Sequence, residues 1–588
     1  MDILKKNLPL ISCIVITCLL YFYIQNTLKY YFYYREQSQI FVYNYDYWIV
    51  ALKSPGGFSL MCAQFLVQFF PVSCVGALTT SFLVGIGAWL SWLVMKKITS
   101  VKYIFPICFL PLLFQLIILI DINYQYQGFI SFLFVTIFLW VYTLIFRRNI
   151  ICRTSLGLFL TVTLFFVAGP VALVFSICIF LYDILTKTTK AYMTFFSLVA
   201  IILLGIYGIH NSLISEYRFA FTPDFYYEPS FKTTNFHYFA WLSLPFVVFL
   251  SFISQYTKKA NNFIKGLLLL MLISILSYFY LYTSQSCIRP SQEELLKLDH
   301  FTEMEQWDDV ISVCNQYGVN NYMTSNYLNL AFVKKGILLD HLFDYPQHGP
   351  KSLIMDNDRS QSGTKLLSQI YFTMGNIAAA QWMAFNSNEI IQKSYSPSML
   401  KVLVQTNIIF GDYAVADKYI SILENTWNYR KWAKNIRKYL YNDNAIEKDS
   451  ILGVKRKDLP RKDGFIIQRG IITDLMDIID KNPYDYNAIE YTIASLLLAK
   501  YKEGIQSFVS KYYRTNVLKT LPTPLKEAII AFSNGNRKYC YRYGIKDYML
   551  SNYRDFRQKT LLAESQGTSS FFSVKNEYSH SYWVYLMQ

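Results

Sequence analysis

The chain has 588 residues, of which 53% are hydrophobic and only 16% are charged, and its formal net charge is +16. This composition is too apolar for one soluble fold and the chain is too long for one domain, so we expect a membrane protein with a soluble part. Much of the basic excess lies beside apolar runs, and no nucleic-acid-binding motif accompanies it. Nucleic acid is therefore not an expected partner.

Apolar runs within residues 1–286 predict a bundle of nine transmembrane helices. The first run has no small-residue cleavage site after it, so we expect it to remain as the first span. The run Phe58–Phe70 is shorter and ends at Pro71, which favours an interfacial helix. The predicted spans are residues 8–24, 74–95, 103–120, 129–146, 155–167, 171–185, 193–209, 238–254 and 266–282.

The basic residues indicate the orientation of these spans. Basic clusters precede span one and follow spans two, four, six and eight, whereas the segments after odd-numbered spans are mixed or acidic. By the positive-inside rule the N-terminus is cytoplasmic, and an odd number of spans places residues 287–588 outside the cytoplasm. The outer loops then include residues 25–58 and 210–237.

Residues 287–588 are predicted to form amphipathic helices separated by short turns. A pattern of small, aromatic and small residues recurs, most clearly at Gly375, Ile377 and Ala380 and again 36 residues later. The second of these copies is Gly411, Tyr413 and Ala416, and further copies are Ala499, Tyr501 and Gly504, and Glu305, Trp307 and Val310. The pattern resembles the tetratricopeptide repeat, a unit of about 34 residues that packs two helices. The resemblance implies an all-α array whose concave face is available to a protein or glycan partner.

Two other segments of this half carry predictions. Residues 442–464 are charged and contain Pro460, which favours a loop or an insertion between repeats. The aromatic tail, residues 571–588, is expected to pack on the last helices as a cap, with anchoring at the membrane surface as the alternative. Cys287 and Cys314 are candidates for a disulfide in an oxidising compartment, and two buried thiols are the alternative.

The first outer loop, from Arg35 to Gly57, has more hydrogen-bonding groups than a connector needs, among them Glu36 and Asp46. The chain has none of the motifs of nucleotide-binding loops, serine hydrolases, zinc proteases or dinucleotide-binding folds. The acids of the outer loops are therefore the candidate catalytic residues. The loop of residues 210–237 adds Arg218, a possible ligand of phosphate.

Nine spans, an acid-bearing first outer loop, an interfacial helix and extracytoplasmic helical repeats together resemble the C-type (GT-C) membrane glycosyltransferases. The resemblance implies transfer of a sugar from a polyprenyl-phosphate carrier at the outer membrane face. It also implies that Asp46 or Glu36 acts as a general base or as a ligand of a divalent metal. Arg35 and Arg218 would then bind the substrate.

The alternative function is a membrane-anchored scaffold for envelope or polysaccharide assembly, which needs no catalytic acid. Glu36 would then pair with Arg35 or cap the loop helix, and Asp46 would be solvated. The layout also resembles an uncharacterised bacterial family of polytopic proteins with the pattern E-x-x-Q-x-F followed by P-G-G. Here that pattern is Glu36, Gln39 and Phe41, followed by residues 55–57. This resemblance implies the bacterial inner (cytoplasmic) membrane and supplies no activity.

Overall fold

Helices make up most of the structure, a computed structural model that describes residues 2–99, 102–144, 150–186, 191–256, 290–390, 395–459, 470–567 and 569–588. Within these ranges the chain forms no strand beyond two isolated bridges, so the fold is all-α, as predicted. The chain packs as two compact units. The first is Met1–Leu296 with Ile390–Pro397 and Asn425–Arg430, and the second is Lys297–Glu389, Ser398–Glu424 and Lys431–Gln588.

Six helices of the first unit are long and apolar enough to cross a membrane. Each coincides with a predicted span, because about 20 consecutive apolar residues are what a hydrocarbon core of about 30 Å requires. These helices indicate a membrane protein. They are Pro9–Thr27, Val75–Ile98, Tyr126–Leu144, Ile151–Ala168, Tyr192–His210 and Asn235–Ile253.

Two other predicted spans are shorter apolar helices, Phe105–Ile118 and Ala172–Leu185. The second has 14 residues, and an α-helix of that size is only about 21 Å long. A further short apolar helix, Gly57–Val67, lies where the interfacial helix is predicted. The ninth predicted span, residues 266–282, lies outside the described residues, as does Cys287. The number of nine spans therefore stays a prediction.

Loops that follow odd-numbered predicted spans meet at one end of the first unit. Three hydrogen bonds join these loops. The Gln127 amide donates to the carbonyl of Gly56, and the N–H of Gly56 donates to the carbonyl of Phe166. The Tyr226 hydroxyl donates to the carbonyl of Ala168. At the far end of helix Tyr126–Leu144, the Lys97 amine donates to the carbonyl of Thr143. Neighbouring helices therefore run in alternating directions between these two ends.

Arg153, which the sequence places among the basic residues flanking a span, is buried inside the first unit instead. It forms an ion pair with Asp183, and the Tyr142 hydroxyl donates to the same carboxylate at 2.6 Å. A charge in an apolar bundle is costly unless a partner neutralises it. Arg153 therefore joins helices Ile150–Ala168 and Ala172–Leu185 through its ion pair with Asp183.

A tight turn recurs seven times between helices beyond residue 290 of the described chain, and in five of them the second helix begins two residues after the left-handed residue of the turn. In each turn one residue adopts the left-handed conformation, and the next N–H donates to the carbonyl five residues earlier at 2.8–3.2 Å. This motif satisfies carbonyls at the end of the first helix. The left-handed residues of these five turns are Glu305, Gly336, Gly375, Gly411 and Lys500, and those of the other two are Asn534 and Gly544.

The first five turns along the chain join helix pairs with regular bounds, because in each of them the second helix begins two residues after the left-handed residue. The pairs are Pro290–Glu303 with Trp307–Tyr317, Tyr322–Lys335 with Leu338–His341, Gln361–Thr373 with Ile377–Ile390, Pro397–Phe410 with Tyr413–Glu424, and Tyr486–Leu498 with Lys502–Tyr512. The remaining helices of this half are Arg430–Ile436, Asp443–Lys448, Leu452–Lys457, Ile471–Lys481, Thr523–Phe532, Arg537–Arg542, Asp547–Ser565, Ser570–Lys575 and Tyr582–Met587.

The structure differs from the sequence-based predictions at one copy of the repeat pattern and at one predicted loop. In the last copy the left-handed residue is Lys500, and the buried residue five positions later is Ile505, so the pattern is displaced by one residue. The predicted aromatic position is not a core position there, because Tyr501 is exposed. The expectation of a loop at residues 442–464 is also wrong for its first part, which forms helices Asp443–Lys448 and Leu452–Lys457.

The aromatic C-terminal tail packs on the second unit, as predicted. Tyr582, Trp583 and Tyr585 are buried. The indole N–H of Trp583 donates to the carbonyl of Glu527 at 2.9 Å, and the Tyr585 hydroxyl donates to the carbonyl of Leu498 at 2.8 Å. The tail therefore covers the end of the helix array.

The Glu527 carboxyl makes the stability of this cap depend on pH. It accepts hydrogen bonds from the N–H of Tyr582 at 2.7 Å and the hydroxyl of Ser581 at 3.0 Å, and burial raises its pKa to about 7. The folded state thus binds the proton more tightly than the unfolded chain, so the group's contribution to stability is complete below about pH 4.5 and is lost as the pH rises to about 7.

We expect Glu527→Gln to gain stability relative to the wild type as the pH rises, by up to about 3 kcal/mol between pH 4.5 and 8. Urea unfolding of the full chain in detergent at a series of pH values measures the difference. The exposed Glu564 serves as the control, and Glu564→Gln should show a constant difference. A constant difference for Glu527→Gln as well would contradict the prediction.

Candidate functional site

Arg35 lies where the loops of the first unit meet. Its side chain is 3% exposed, and its Nη2 donates to the carbonyl of Asp121 at 3.0 Å and to the carbonyl of Tyr124. The guanidinium also lies over the ring of Tyr31, 4.8 Å from its centroid. Arg35 therefore ties the first loop to the turn after helix Leu110–Ile118. Its predicted binding of substrate stays a prediction.

Glu36 is as buried as Arg35, with 3% of its surface exposed. Its carboxylate accepts hydrogen bonds from the Tyr429 hydroxyl at 2.8 Å, the Asn428 amide at 3.0 Å and the Gln37 amide at 2.8 Å. Tyr429 and Asn428 belong to the segment Asn425–Arg430 of the same unit. Both carboxylate oxygens are therefore engaged by side chains, and solvent has little access to them.

Asp46 has the opposite environment. It is exposed in the first turn of helix Tyr45–Leu52, of which no residue is buried. Its N–H donates to the Asn44 side chain at 2.8 Å, which caps the helix. An acid in the first turn also interacts favourably with the helix dipole. The Asp46 carboxylate thus remains open to solvent, and its catalytic role stays a prediction.

Arg218 bonds within its own loop. Its Nη2 donates to the carbonyl of Pro229 at 3.0 Å, and its Nε lies 3.9 Å from the Asp224 carboxylate. The guanidinium lies 4.5 Å from the centroid of the Phe219 ring. These contacts hold the loop of residues 210–237 in shape, and binding of a phosphate by Arg218 stays a prediction.

The structure brings Arg35 and Glu36 into one helix, Lys29–Ser38, but gives them different partners. The first loop also meets the last outer loop indirectly, because the Tyr227 hydroxyl donates to the Asp121 carboxylate at 2.6 Å. Among the described residues, no three His, Cys, Asp or Glu side chains are grouped so that they can hold a metal ion.

The second unit contains a groove of about 370 Å³. The first helices of the helix pairs supply much of its lining, including the amides of Gln369, Gln405 and Asn487. Two half-buried indoles, Trp307 and Trp432, and four hydroxyl side chains also line it. The charged lining residues are Glu303, Glu305, Lys334, Lys401, Lys455 and Asp485. The groove therefore combines flat apolar surfaces with many hydrogen-bonding groups.

A buried ionic network fixes one wall of the groove. The Lys455 amine lies 2.5 Å from the Asp485 carboxylate and 3.5 Å from the Asp458 carboxylate, and it donates to the carbonyl of Thr373 at 2.7 Å. Burial and the nearby Asp485 raise the pKa of Asp458 to about 7. Burial opposes ionisation of Asp485 too, but Lys455 lowers its pKa below the usual range. The network joins helix Leu452–Lys457 to the start of helix Tyr486–Leu498.

This groove was not predicted from the sequence. Lys455 lies in the segment predicted to be a loop, and Trp307 is one of the predicted aromatic positions of the repeat pattern. A weak signal exists, because Lys401 and Gln405 are four residues apart and so lie on one face of their helix. Which faces line a cavity depends on how the helices pack, and the spacing alone does not indicate that.

Comparisons with known proteins agree with the expectation of an uncharacterised family. No curated protein and no solved structure matches the chain significantly. One family model matches residues 5–588, which is almost the whole chain, and its description is "Family of unknown function (DUF6057)". The chain therefore belongs to the DUF6057 family.

Proposed function

We propose that the protein is a membrane-anchored scaffold, not an enzyme, and that its second unit binds a component of envelope or polysaccharide assembly. The observation that carries this proposal is the polar groove of about 370 Å³ built by successive helix pairs. Stacked helix pairs form extended concave surfaces that bind partners, as in tetratricopeptide-like arrays. The burial of Arg35 and Glu36 supports the same proposal, since each has a structural role.

The scaffold we propose has nine spans in a bacterial inner membrane, with its N-terminus in the cytoplasm and its second unit outside. The alternating directions of the helices support an up-and-down bundle in which the shorter apolar helices also cross. The third span is a 3₁₀ segment, Lys102–Phe109, followed by the α-helix Leu110–Ile118. From the rise per residue of each type, the two together extend about 30 Å, which matches the hydrocarbon core.

A C-type glycosyltransferase is the second candidate, and the exposed carboxylate of Asp46 favours it. Asp46 would act as the general base or bind a divalent metal, and Arg35 and Arg218 would bind the phosphate of a polyprenyl-linked sugar. Under this proposal Glu36 would have to leave its present partners to reach a substrate. The accessible acid is therefore the residue that distinguishes the two candidates.

Complementation in the native host tests the proposal. A strain lacking the gene receives either Asp46→Asn or the pair Trp307→Ala and Trp432→Ala, with protein levels matched. We expect Asp46→Asn to restore the wild-type phenotype and the tryptophan pair to fail, because only the groove is needed by a scaffold. Loss of a general base would lower turnover by about 10²- to 10⁴-fold. Failure of Asp46→Asn with success of the tryptophan pair would establish the enzyme instead.

A further inference from the structure

The groove of the second unit has a balanced charge. Three acids, Glu303, Glu305 and Asp485, face three lysines in its lining. Lys455 already pairs with Asp485 at 2.5 Å, and Glu303 lies 3.3 Å from the Lys365 amine. Strong binding of a polyanion or of a highly charged peptide requires an excess of one sign. The balance therefore favours an uncharged polar occupant.

Lys334 is one of the three lysines that line the groove. Desolvation by the groove walls, and to a lesser extent the Lys455 amine, lower the pKa of Lys334. Glu305 and Asp485 counter that shift only in part, so Lys334 has acidic neighbours in the groove but a lowered pKa.

Neutral side chains supply hydrogen-bonding groups of both kinds. Gln369, Gln405 and Asn487 each carry an amide with donors and an acceptor. Thr302 also lines the groove, but its hydroxyl is shielded from solvent and has no hydrogen-bond partner within the described chain. The three amides therefore offer a ligand both donors and acceptors.

The two indoles add flat apolar surfaces between these polar groups. The Lys401 amine lies over Trp432, 5.8 Å from the ring centroid. Trp307 is half-buried, lines the groove and makes no ring or cation contact with any described residue. An indole presents an apolar face and one N–H donor. A sugar ring has the complementary surface, with C–H groups on its faces and hydroxyls around its edge.

We propose that the groove binds a short, uncharged oligosaccharide, with one ring stacked on Trp307 and its hydroxyls bonded to the amides of Gln369, Gln405 and Asn487. The volume of about 370 Å³ lies within the range of about 300–1,000 Å³ typical of ligand pockets. This inference rests on the proposed function, because it names the ligand class of the scaffold's binding groove.

The test uses the full chain in lipid nanodiscs and an array of neutral and acidic oligosaccharides and peptides. Titration of the best neutral oligosaccharide, followed by tryptophan fluorescence and calorimetry, then gives affinities. We expect Trp307→Ala and Gln405→Ala each to weaken binding by about tenfold. Raising the salt from about 0.05 to about 0.5 M should change the affinity by less than about twofold, because screening affects only charged pairs.

Matched controls separate the groove from the rest of the surface. Trp382 is 46% exposed and Lys418 is exposed, and both lie outside the groove, so Trp382→Ala and Lys418→Gln should bind normally. Thermal unfolding of each variant checks that it is folded. Binding of acidic glycans or peptides only, no binding at all, or equal affinities for Trp307→Ala, Gln405→Ala and the wild type would overturn the proposal. Complementation by groove variants that no longer bind glycan would refute the scaffold function but leave the ligand class intact.

Discussion

Removal of Tyr582–Gln588 is expected to abolish the cooperative unfolding of the second unit. Tyr582, Trp583, Val584 and Tyr585 are all buried, and the loss of even one buried aromatic side chain typically costs about 3–5 kcal/mol. A sum of such losses is comparable to the whole stability of a domain, about 5–15 kcal/mol. Thermal unfolding of the full and shortened chains in detergent, followed by circular dichroism, measures the effect.

Single substitutions provide the matched control for this truncation. Trp583→Ala should lower the unfolding midpoint strongly, because the indole packs on Tyr553, 5.2 Å between ring centroids, and bonds to Glu527. Phe572 belongs to the same tail but is 73% exposed. Phe572→Ala should therefore change stability by no more than about 0.5 kcal/mol. Equal midpoints for Trp583→Ala and Phe572→Ala would show that the tail is not a structural cap.

Glu36→Ala is expected to destabilise the first unit by about 3 kcal/mol, since it removes the common acceptor of three buried hydrogen bonds. The donors are the Tyr429 hydroxyl and the amides of Asn428 and Gln37. Chemical unfolding in a mild detergent measures the loss. Glu36→Gln should recover only part of it, because the amide that replaces the carboxylate has one acceptor fewer and brings donors toward other donors.

Asp46→Ala is the control for Glu36→Ala, since both acids lie in the first loop. Asp46 is exposed in the first turn of its helix, so we expect a change of about 0.5 kcal/mol or less. If the two substitutions had equal effects on stability, the structural role of Glu36 would be wrong. Tyr429→Phe should also lower stability, by about 1 kcal/mol, because it removes one of the three hydrogen bonds.

The spans were the most predictable part of the fold. A hydrocarbon core demands a long uninterrupted apolar run, and such a run is visible in the sequence without knowledge of any neighbour. Six of the predicted spans coincide with helices that meet this requirement. The helix pairs of the second unit were predictable for a similar reason, because the glycine at a left-handed turn, as at Gly375 and Gly411, is a local signal.

The register of less regular turns was not predictable. At the last predicted repeat, Lys500 adopts the left-handed conformation that a glycine would adopt more readily. A pattern search that expects a small residue there selects the neighbouring Ala499 and shifts the copy by one position. The helix Leu452–Lys457 was missed because its charged residues are typical of a loop. In the structure Lys455 is held by two buried acids, Asp458 at the end of the same helix and Asp485 at the start of a distant one.

The sequence by itself determined the all-α class, the positions of the apolar helices and the aromatic cap, because each depends on local composition and periodicity. Only the tertiary structure decided the state of the candidate acids. Glu36 and Asp46 are ten residues apart in one loop, yet one is buried against Tyr429 and the other is solvated. The partner of Glu36 is 393 residues away in the chain. The groove likewise joins Trp307 to Asp485. Contacts over such separations arise from packing, which leaves no local signal in the sequence.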